Sequence, residues 1–155
     1  MSIKYERAYI DQDKEYLYKV MQAHADYVHP GSLPKEVKLN PELISELESK
    51  LMYYSIKAVK NNEIVGLISG PVYRHFQYQD HIFAEAIILQ VNKDLSRREK
   101  IGIIKGLTHY FERVGKQDYN ASYIQIDLSA SRDIRKLFHK FGYADTEYIV
   151  TKKLQ

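Results

Sequence analysis

The chain has 155 residues, a formal net charge of +3 and no cysteine; 45% of its residues are hydrophobic and 28% are charged. This composition predicts one globular domain, residues 1–155, and excludes disulfides, thiolate metal ligands and a cysteine nucleophile. No apolar run reaches the roughly 18 residues of a membrane span, and the stretch MSIKYERAYIDQD is not an apolar leader. We therefore expect a cytoplasmic protein with no membrane partner.

The first half of the chain predicts a strand, two helices and a hairpin. Residues 3–8 alternate as a strand, and Asp11 or Asp13 is expected to cap a helix that runs to about residue 27. Asn40-Pro41 marks a second helix start, because a capping side chain precedes proline. The turn Asn61-Asn62 joins strands 54–60 and 63–72. The residues predicted to face inward from the two helices are Leu17, Val20, Met21 and His24, then Leu43, Ile44, Leu47 and Leu51.

The second half alternates strands and helices. It predicts a long strand at 81–91, a helix from 96 to about 114, a strand at 122–128, a helix at 131–141 and a last strand at 148–154. A strand-helix-strand crossover between residues 82 and 128 requires parallel neighbours, so the sheet is expected to be mixed. The residues predicted to point inward from the helix that starts at 96 are Ile101, Ile104, Leu107 and Phe111.

Four stretches resemble a known family, and one of them is the helix that starts near residue 96, which is similar to the family's CoA-binding segment. IKAVKNNEIVGLISG (56–70) is similar to the family phrase V-x-x-x-x-E-I-V-G-x-x-x-G, and IFAEAIILQV (82–91) is similar to its fourth strand. SASRDIRKLFHKFGYADTEYIVTKKL (129–154) resembles its A-x-x-L-Y-x-K-x-G-F ending. With the element order, they make the chain resemble GNAT acyltransferases, above all small phage and bacterial ones, which move an acetyl or related group from acyl-CoA to an amine. The resemblance implies an α/β (α+β) fold with a central mixed, mostly antiparallel, twisted sheet of six to seven strands flanked by about four helices.

The resemblance also implies a site for acetyl-CoA at the helix that starts near residue 96. The family signature R/Q-x-x-G-x-G/A exposes helix-start amides to the CoA pyrophosphate. Counting places Ser96, Glu99 and Ile101 at its three key positions, or Arg97, Lys100 and Gly102; the second register recovers an arginine and a glycine. Lys100 then replaces the first glycine and is expected to keep its amide available. Alternatively, Ser96-x-x-Glu99 is a capping box that needs no ligand. The residues assigned to acetyl-CoA are Leu89, Gln90, Val91, Arg97, Arg98, Lys100, Ile101, Gly102, Ile103, Ser129, Arg132 and Phe138.

Acyl transfer requires a base that deprotonates the attacking amine. The resemblance gives this role to Glu85; the alternative is that Glu85 pairs with a neighbouring arginine or lysine, or faces water. The family's usual acid is a tyrosine at the position of Phe138, which has no proton to donate. We name Tyr143 as the candidate acid, with His139 and water as alternatives. Ser129 lies where the family often has a small polar residue near CoA, although it could equally cap the last helix.

The expected acceptor is a small-molecule or peptide amine near the loop 73–81, which mixes aromatic residues, histidines and charge. The spacing of its histidines suits no standard metal site, so no metal is expected. Two rival functions stay open: a degenerate GNAT fold that serves as a CoA-binding or regulatory module, and transfer to aminoacyl-tRNA. A net charge of +3 is low for RNA binding. A homodimer paired through the C-terminal strands is a further expectation.

Overall fold

The computed structural model describes residues 2–28, 38–128 and 134–146. The predicted last strand at 148–154 and the candidates Ser129 and Arg132 lie outside these residues. The strands are β1 (Lys4–Ala8), β2 (Tyr53–Lys60), β3 (Glu63–Arg74), β4 (Ile82–Ala86), β5 (Ile88–Val91) and β6 (Tyr123–Ile126). The helices are α1 (Ile10–Val28), α2 (Pro41–Ser49), α3 (Arg97–Tyr119) and α4 (Arg135–Lys140).

One six-stranded sheet organises the fold, in the order β1-β2-β3-β4-β6, and β5 pairs with β3 beside β4. The pairs β1–β2, β2–β3, β3–β4 and β3–β5 are antiparallel, whereas β4 and β6 run parallel. Helix α3 connects the parallel strands, as the crossover argument requires. The prediction of a mixed, mostly antiparallel sheet is confirmed.

The two faces of the sheet are covered by different helices. On one face, α3 and α4 pack against the sheet; there Tyr54 stacks on Phe111 with ring centroids 4.3 Å apart and on Tyr119 at 4.7 Å. On the other face, α1 and α2 cover a smaller cluster. The buried residues of that smaller cluster are Ala8, Ile10, Leu17, Val20, Ile44, Tyr53, Leu67 and Ile88.

Local sequence signals account for several element boundaries. The Asn40 side chain accepts a hydrogen bond from the Leu43 amide at 3.1 Å, so it caps α2 as predicted. Asn61 and Asn62 have φ angles of 53° and 63°, the left-handed values that a tight hairpin turn requires. Gly106 lets α3 approach the sheet closely, because an added Cβ would overlap the ring of Tyr5.

Two predictions about helix limits are wrong. Helix α1 begins at Ile10, before Asp11 and Asp13, and Asp13 itself has non-helical angles. The Asp13 carboxylate accepts hydrogen bonds from the Tyr9 amide at 3.1 Å and from Lys57 Nζ at 2.9 Å. Helix α3 runs five residues beyond 114 to Tyr119, because its C-cap Asn120 takes the left-handed conformation that ends helices.

Three residues predicted to point inward are exposed. Leu43 lies on the outer side of α2, whose core-facing residues are Ile44 and Leu47. Leu51 follows the end of the same helix and has a positive φ, so it no longer continues the helical stripe. Ile101 is also exposed, because α3 turns Ile104, Leu107 and Phe111 toward the sheet.

Candidate functional site

The strand predicted at 81–91 is interrupted at Ile87, where β4 ends and β5 begins. Val72 pairs with Ala84 and Ser69 pairs with Ile88, so β3 advances three residues while β4 and β5 together advance four. The Ile87 amide donates to the Ser69 carbonyl at 3.0 Å. Two residues of the β4–β5 strand therefore lie opposite one residue of β3, which defines a β-bulge. The bulge is absent from the sequence prediction.

Gly70 makes this bulge sterically possible. A Cβ at position 70 would overlap the carbonyl oxygen of Glu85, lie 2.7 Å from the Glu85 carbonyl carbon and lie 3.0 Å from the Ala86 Cα. These are backbone atoms, which cannot turn away as a flexible side chain would. Glycine is therefore required wherever β3 passes this close to the bulged strand.

The bulge also marks the place where the sheet changes partners. The parallel ladder between β4 and β6 ends with Ala86 opposite Ile126, and the Asp127 amide donates to the Ala86 carbonyl at 2.9 Å. Beyond Ile87, β5 pairs with β3, and within the described residues no strand pairing joins β5 to β6. Of the candidates on β5, Leu89 is buried, whereas Gln90 and Val91 are half-buried.

Glu85 lies directly before the bulge, on the sheet face that α1 and α2 partly cover. Its neighbours Ala84 and Ala86 are fully buried toward α3, and alternation along a strand turns Glu85 to the opposite face. Its Oε1 accepts a hydrogen bond from Gln125 Nε2 at 2.7 Å, and Gln125 is its register partner on β6. The carboxylate is therefore held in a fixed orientation. Gln125 was missed by the sequence reasoning, since the contact spans 40 residues.

Seven rings form a continuous cluster at the start of β4, which we call the aromatic face. Phe83 stacks on Tyr123 with centroids 5.0 Å apart and contacts His75 at 4.8 Å. Further ring contacts connect the cluster to the loop between β3 and β4 and to His81. Its members are Tyr73, His75, Phe76, Tyr78, His81, Phe83 and Tyr123. Five of the seven rings come from residues 73–81, the segment that the sequence analysis expects to lie near the acceptor.

The start of α3 is a complete capping box. Ser96 Oγ accepts from the Glu99 amide at 3.2 Å, and Glu99 Oε2 accepts from the Ser96 amide at 2.9 Å. The other Glu99 oxygen pairs with Lys60 Nζ at 2.6 Å. The hydrogen bond from Lys60, followed by those from Ser96, lowers the pKa of Glu99 to about 2. The capping interpretation of Ser96-x-x-Glu99 is thus confirmed.

Capping leaves a smaller set of amides for an anion than the sequence suggested. The Lys100 amide donates to the Ser96 carbonyl at 2.9 Å, so the expectation that it stays available is wrong. The first helical amides have no partner in the preceding turn, and within the described residues those of Arg97 and Arg98 remain. Gly102 is exposed, and a Cβ there would meet no atom within 4 Å. Ile103, by contrast, is buried against the sheet.

The candidates from α4 and the residues after it lie on the α3 side of the sheet. Phe138 is 2% exposed and packs edge-on against Tyr143 with centroids 5.5 Å apart. The Tyr143 hydroxyl is buried beside Glu112 and makes no hydrogen bond to the described residues. Burial, with the nearby Glu112 charge, raises the pKa of Tyr143. His139 instead pairs with Asp145 at 2.9 Å on the surface.

Residues 2–28, 38–128 and 134–146 contain no group of three or more His, Cys, Asp or Glu side chains that could hold a metal ion. No helix among them is long and apolar enough to cross a membrane.

These elements define the fold of the GNAT acetyltransferases. An aminoglycoside acetyltransferase from an uncultured soil metagenomic sample has 15% identity, a TM-score of 0.72 and full coverage of both chains. A predicted acetyltransferase with acetyl-CoA from Clostridium acetobutylicum has 18% identity and a TM-score of 0.67, with 96% of this chain and 94% of that chain covered. A transcriptional regulator from Bacillus halodurans has 15% identity and a TM-score of 0.73, with 99% and 100% covered.

No protein-family model and no curated protein matches the sequence. At identities this low, the structural likeness shows the fold and leaves the reaction to be argued from the site. Of these three names, one gives an acceptor class, aminoglycosides, one mentions only acetyl-CoA, and one is that of a transcriptional regulator, so the fold does not define an acceptor.

Proposed function

We propose that this chain is an acyl-CoA-dependent N-acetyltransferase that transfers an acetyl group from acetyl-CoA to a primary amine. The observation that carries the proposal is the position of Glu85. It directly precedes a β-bulge, at the point where the β4–β6 ladder ends, in the fold that acetyltransferases use. Its carboxylate is oriented by Gln125 rather than buried in the core.

In the proposed reaction, the amine nitrogen attacks the thioester carbonyl carbon. A C–N bond forms and the C–S bond breaks, giving the amide and the CoA thiolate. Glu85 accepts the proton that the amine loses, directly or through one water molecule. Water relays a proton to the thiolate, because Phe138 has none to donate and the Tyr143 hydroxyl is buried with a raised pKa. The water regains the proton that Glu85 took from the neutral amine, so amine and acetyl-CoA give amide and CoA thiol with no net change of charge.

Acetyl-CoA would lie between β5 and the first turn of α3. The backbone of Leu89, Gln90 and Val91 would contact the pantetheine arm. The amides and guanidinium groups of Arg97 and Arg98 suit the pyrophosphate, since arginine and helix-start amides both favour phosphate oxygens. The open space around Gly102 supports this location. Lys100 and Ile101 belong to the same proposed site, and Ile103 and Phe138 are buried on the α3 side of the sheet. Ser129 and Arg132, which the resemblance also assigns to acetyl-CoA, lie outside the described residues.

The first test is calorimetric titration of the purified chain with acetyl-CoA. We expect micromolar binding that Gly102→Trp abolishes, because the indole would fill the open space at the start of α3. Lys116→Trp is the matched control, since Lys116 is exposed near the other end of the same helix. Folded wild-type protein that does not bind acetyl-CoA would overturn the proposal and favour a non-catalytic module.

The second test measures CoA thiol release with a panel of amines. Glu85→Gln keeps the shape of the side chain and removes the base, so we expect kcat to fall about 100- to 1000-fold. Binding of acetyl-CoA should stay unchanged. A variant that retains wild-type kcat would remove Glu85 from the reaction, although the transferase function could stand with another base.

A further inference from the structure

We infer that the acceptor amine carries a planar aromatic ring, which the aromatic face binds while the amine reaches Glu85. This inference rests on the proposed function and adds a substrate class to it. The shared chemistry is a primary amine near an aromatic ring. Two sources would supply it: a free arylalkylamine, or a peptide whose first residue is aromatic.

The register of β4 and β6 sets the spacing. Phe83 pairs with Tyr123, and two residues further Glu85 pairs with Gln125. Both pairs lie on the same face, because the intervening Ala84 is buried toward α3. A strand rises about 3.3 Å per residue, so the ring pair lies about 7 Å from the carboxylate pair. An amine separated from a ring by a two-carbon linker spans a comparable distance.

Four of the seven residues of the aromatic face are exposed, namely Phe76, Tyr78, His81 and Tyr123. Phe76 is 79% exposed, Tyr78 57% and Tyr123 52%, whereas the aromatic residues under α3 are almost completely buried. Contiguous exposed aromatic surface on a soluble protein commonly marks a binding site. The cluster also reaches inward through Phe83, which is half-buried and lies two register positions from the proposed base.

The charges of residues 73–83 favour an acceptor with one ammonium group over an acceptor with several. Between residues 73 and 83 the side chains include one arginine, Arg74, and one carboxylate, Asp80. The Arg74 guanidinium donates to the backbone carbonyl of Gln79, so it closes the loop. A polycationic sugar would require several carboxylates, whereas stacked rings offer a flat apolar wall. Offset stacking and edge contacts between rings favour a planar aromatic group over a saturated one.

The experiment compares phenethylamine with 2-cyclohexylethylamine, which has the same carbon skeleton but a saturated ring. We expect kcat/KM for phenethylamine to exceed that for the saturated amine about 2- to 10-fold. Tyr123→Leu should bring the ratio close to one. Tyr9→Leu is the matched control, because Tyr9 is 41% exposed and adjoins β1, the opposite edge of the sheet. Dipeptide amides that begin with phenylalanine or with leucine repeat the comparison of an aromatic with a saturated side chain for peptide acceptors.

A second measurement keeps this inference separable from the transferase function. Saturation-transfer NMR with phenethylamine alone should show ring-proton contacts that Tyr123→Leu weakens and Tyr9→Leu preserves. If those contacts appear but acetyl-CoA does not bind, the ring site stands and the transferase function fails. If both amines react with equal kcat/KM, or Tyr123→Leu lowers both equally, the inference is overturned while the transferase function stands. Absence of both contacts and transfer overturns both.

Discussion

Gly70→Ala is expected to be the most destabilising single-methyl change near the site. The added Cβ would overlap the Glu85 carbonyl oxygen and lie 2.7 Å from the carbonyl carbon. Relief requires a shift of the bulged strand itself, so the cost should reach the upper end of the overpacking range, about 3 kcal/mol of unfolding free energy. For a chain of this size, that corresponds to a fall in Tm of about 6 to 12 °C.

Gly102→Ala provides the opposite control. A Cβ at position 102 meets no atom within 4 Å and lies inside α3, so alanine should stabilise the chain by about 0.5 to 1 kcal/mol. Urea unfolding followed by circular dichroism measures both effects, and amide NMR shifts from Glu85 to Leu89 report on the bulge. If Gly70→Ala unfolds within 1 kcal/mol of wild type and leaves those shifts unchanged, the bulge does not depend on the missing Cβ.

Three further predictions concern a pKa, a hydroxyl and a cap. The pKa of Glu99, about 2, lies below its ordinary 4.5, so its stabilising contribution is present above about pH 4.5 and is lost as the pH falls toward 2. The stability difference between wild type and Glu99→Gln in urea should therefore shrink between pH 6 and pH 2.5; a constant difference would contradict the role of the ionised carboxylate. Tyr143→Phe removes a hydroxyl without a hydrogen bond, so stability should not fall and kcat should stay within about twofold; a tenfold loss of kcat would identify Tyr143 as the acid. Asn40→Ala should lower the unfolding free energy by about 1 kcal/mol, and Asn40→Asp, which keeps a capping oxygen, by much less.

The parts of the fold that the sequence predicted well depend on contacts between near neighbours. Asn40 caps an amide three residues away, and Ser96 and Glu99 cap each other across the same interval. The turn at Asn61-Asn62 needs two left-handed residues in succession, which asparagine tolerates. Each signal is complete within four residues, so periodicity and residue type were enough to place these helices and strands.

The features that build the candidate site depend on contacts far apart in the chain. The bulge at Ile87 is set by the passage of Gly70 against the Glu85 backbone, and apolar periodicity carries no trace of it because residues 82–91 read as one continuous strand. The Gln125 partner of Glu85 follows from the β4–β6 register. Exposure of Ile101 similarly reflects which side of α3 the sheet occupies, a choice that an amphipathic pattern with apolar residues on both flanks leaves open.

The capping box at the first turn of α3 does not exclude the proposed pyrophosphate site, although the sequence patterns presented the two as alternatives. The capping box uses the Glu99 amide and the Ser96 hydroxyl, so it does not occupy the amides of Arg97 and Arg98, which lie at the positive end of the helix dipole. The carboxylate of Glu99 would repel a pyrophosphate, but Lys60 pairs with it at 2.6 Å and offsets its charge. Lys60, Arg97 and Arg98 carry three positive charges and Glu99 carries one negative charge, so these four side chains together have a charge of +2. A capped helix is therefore compatible with the proposed anion site, because the Lys60–Glu99 ion pair offsets the charge of the carboxylate.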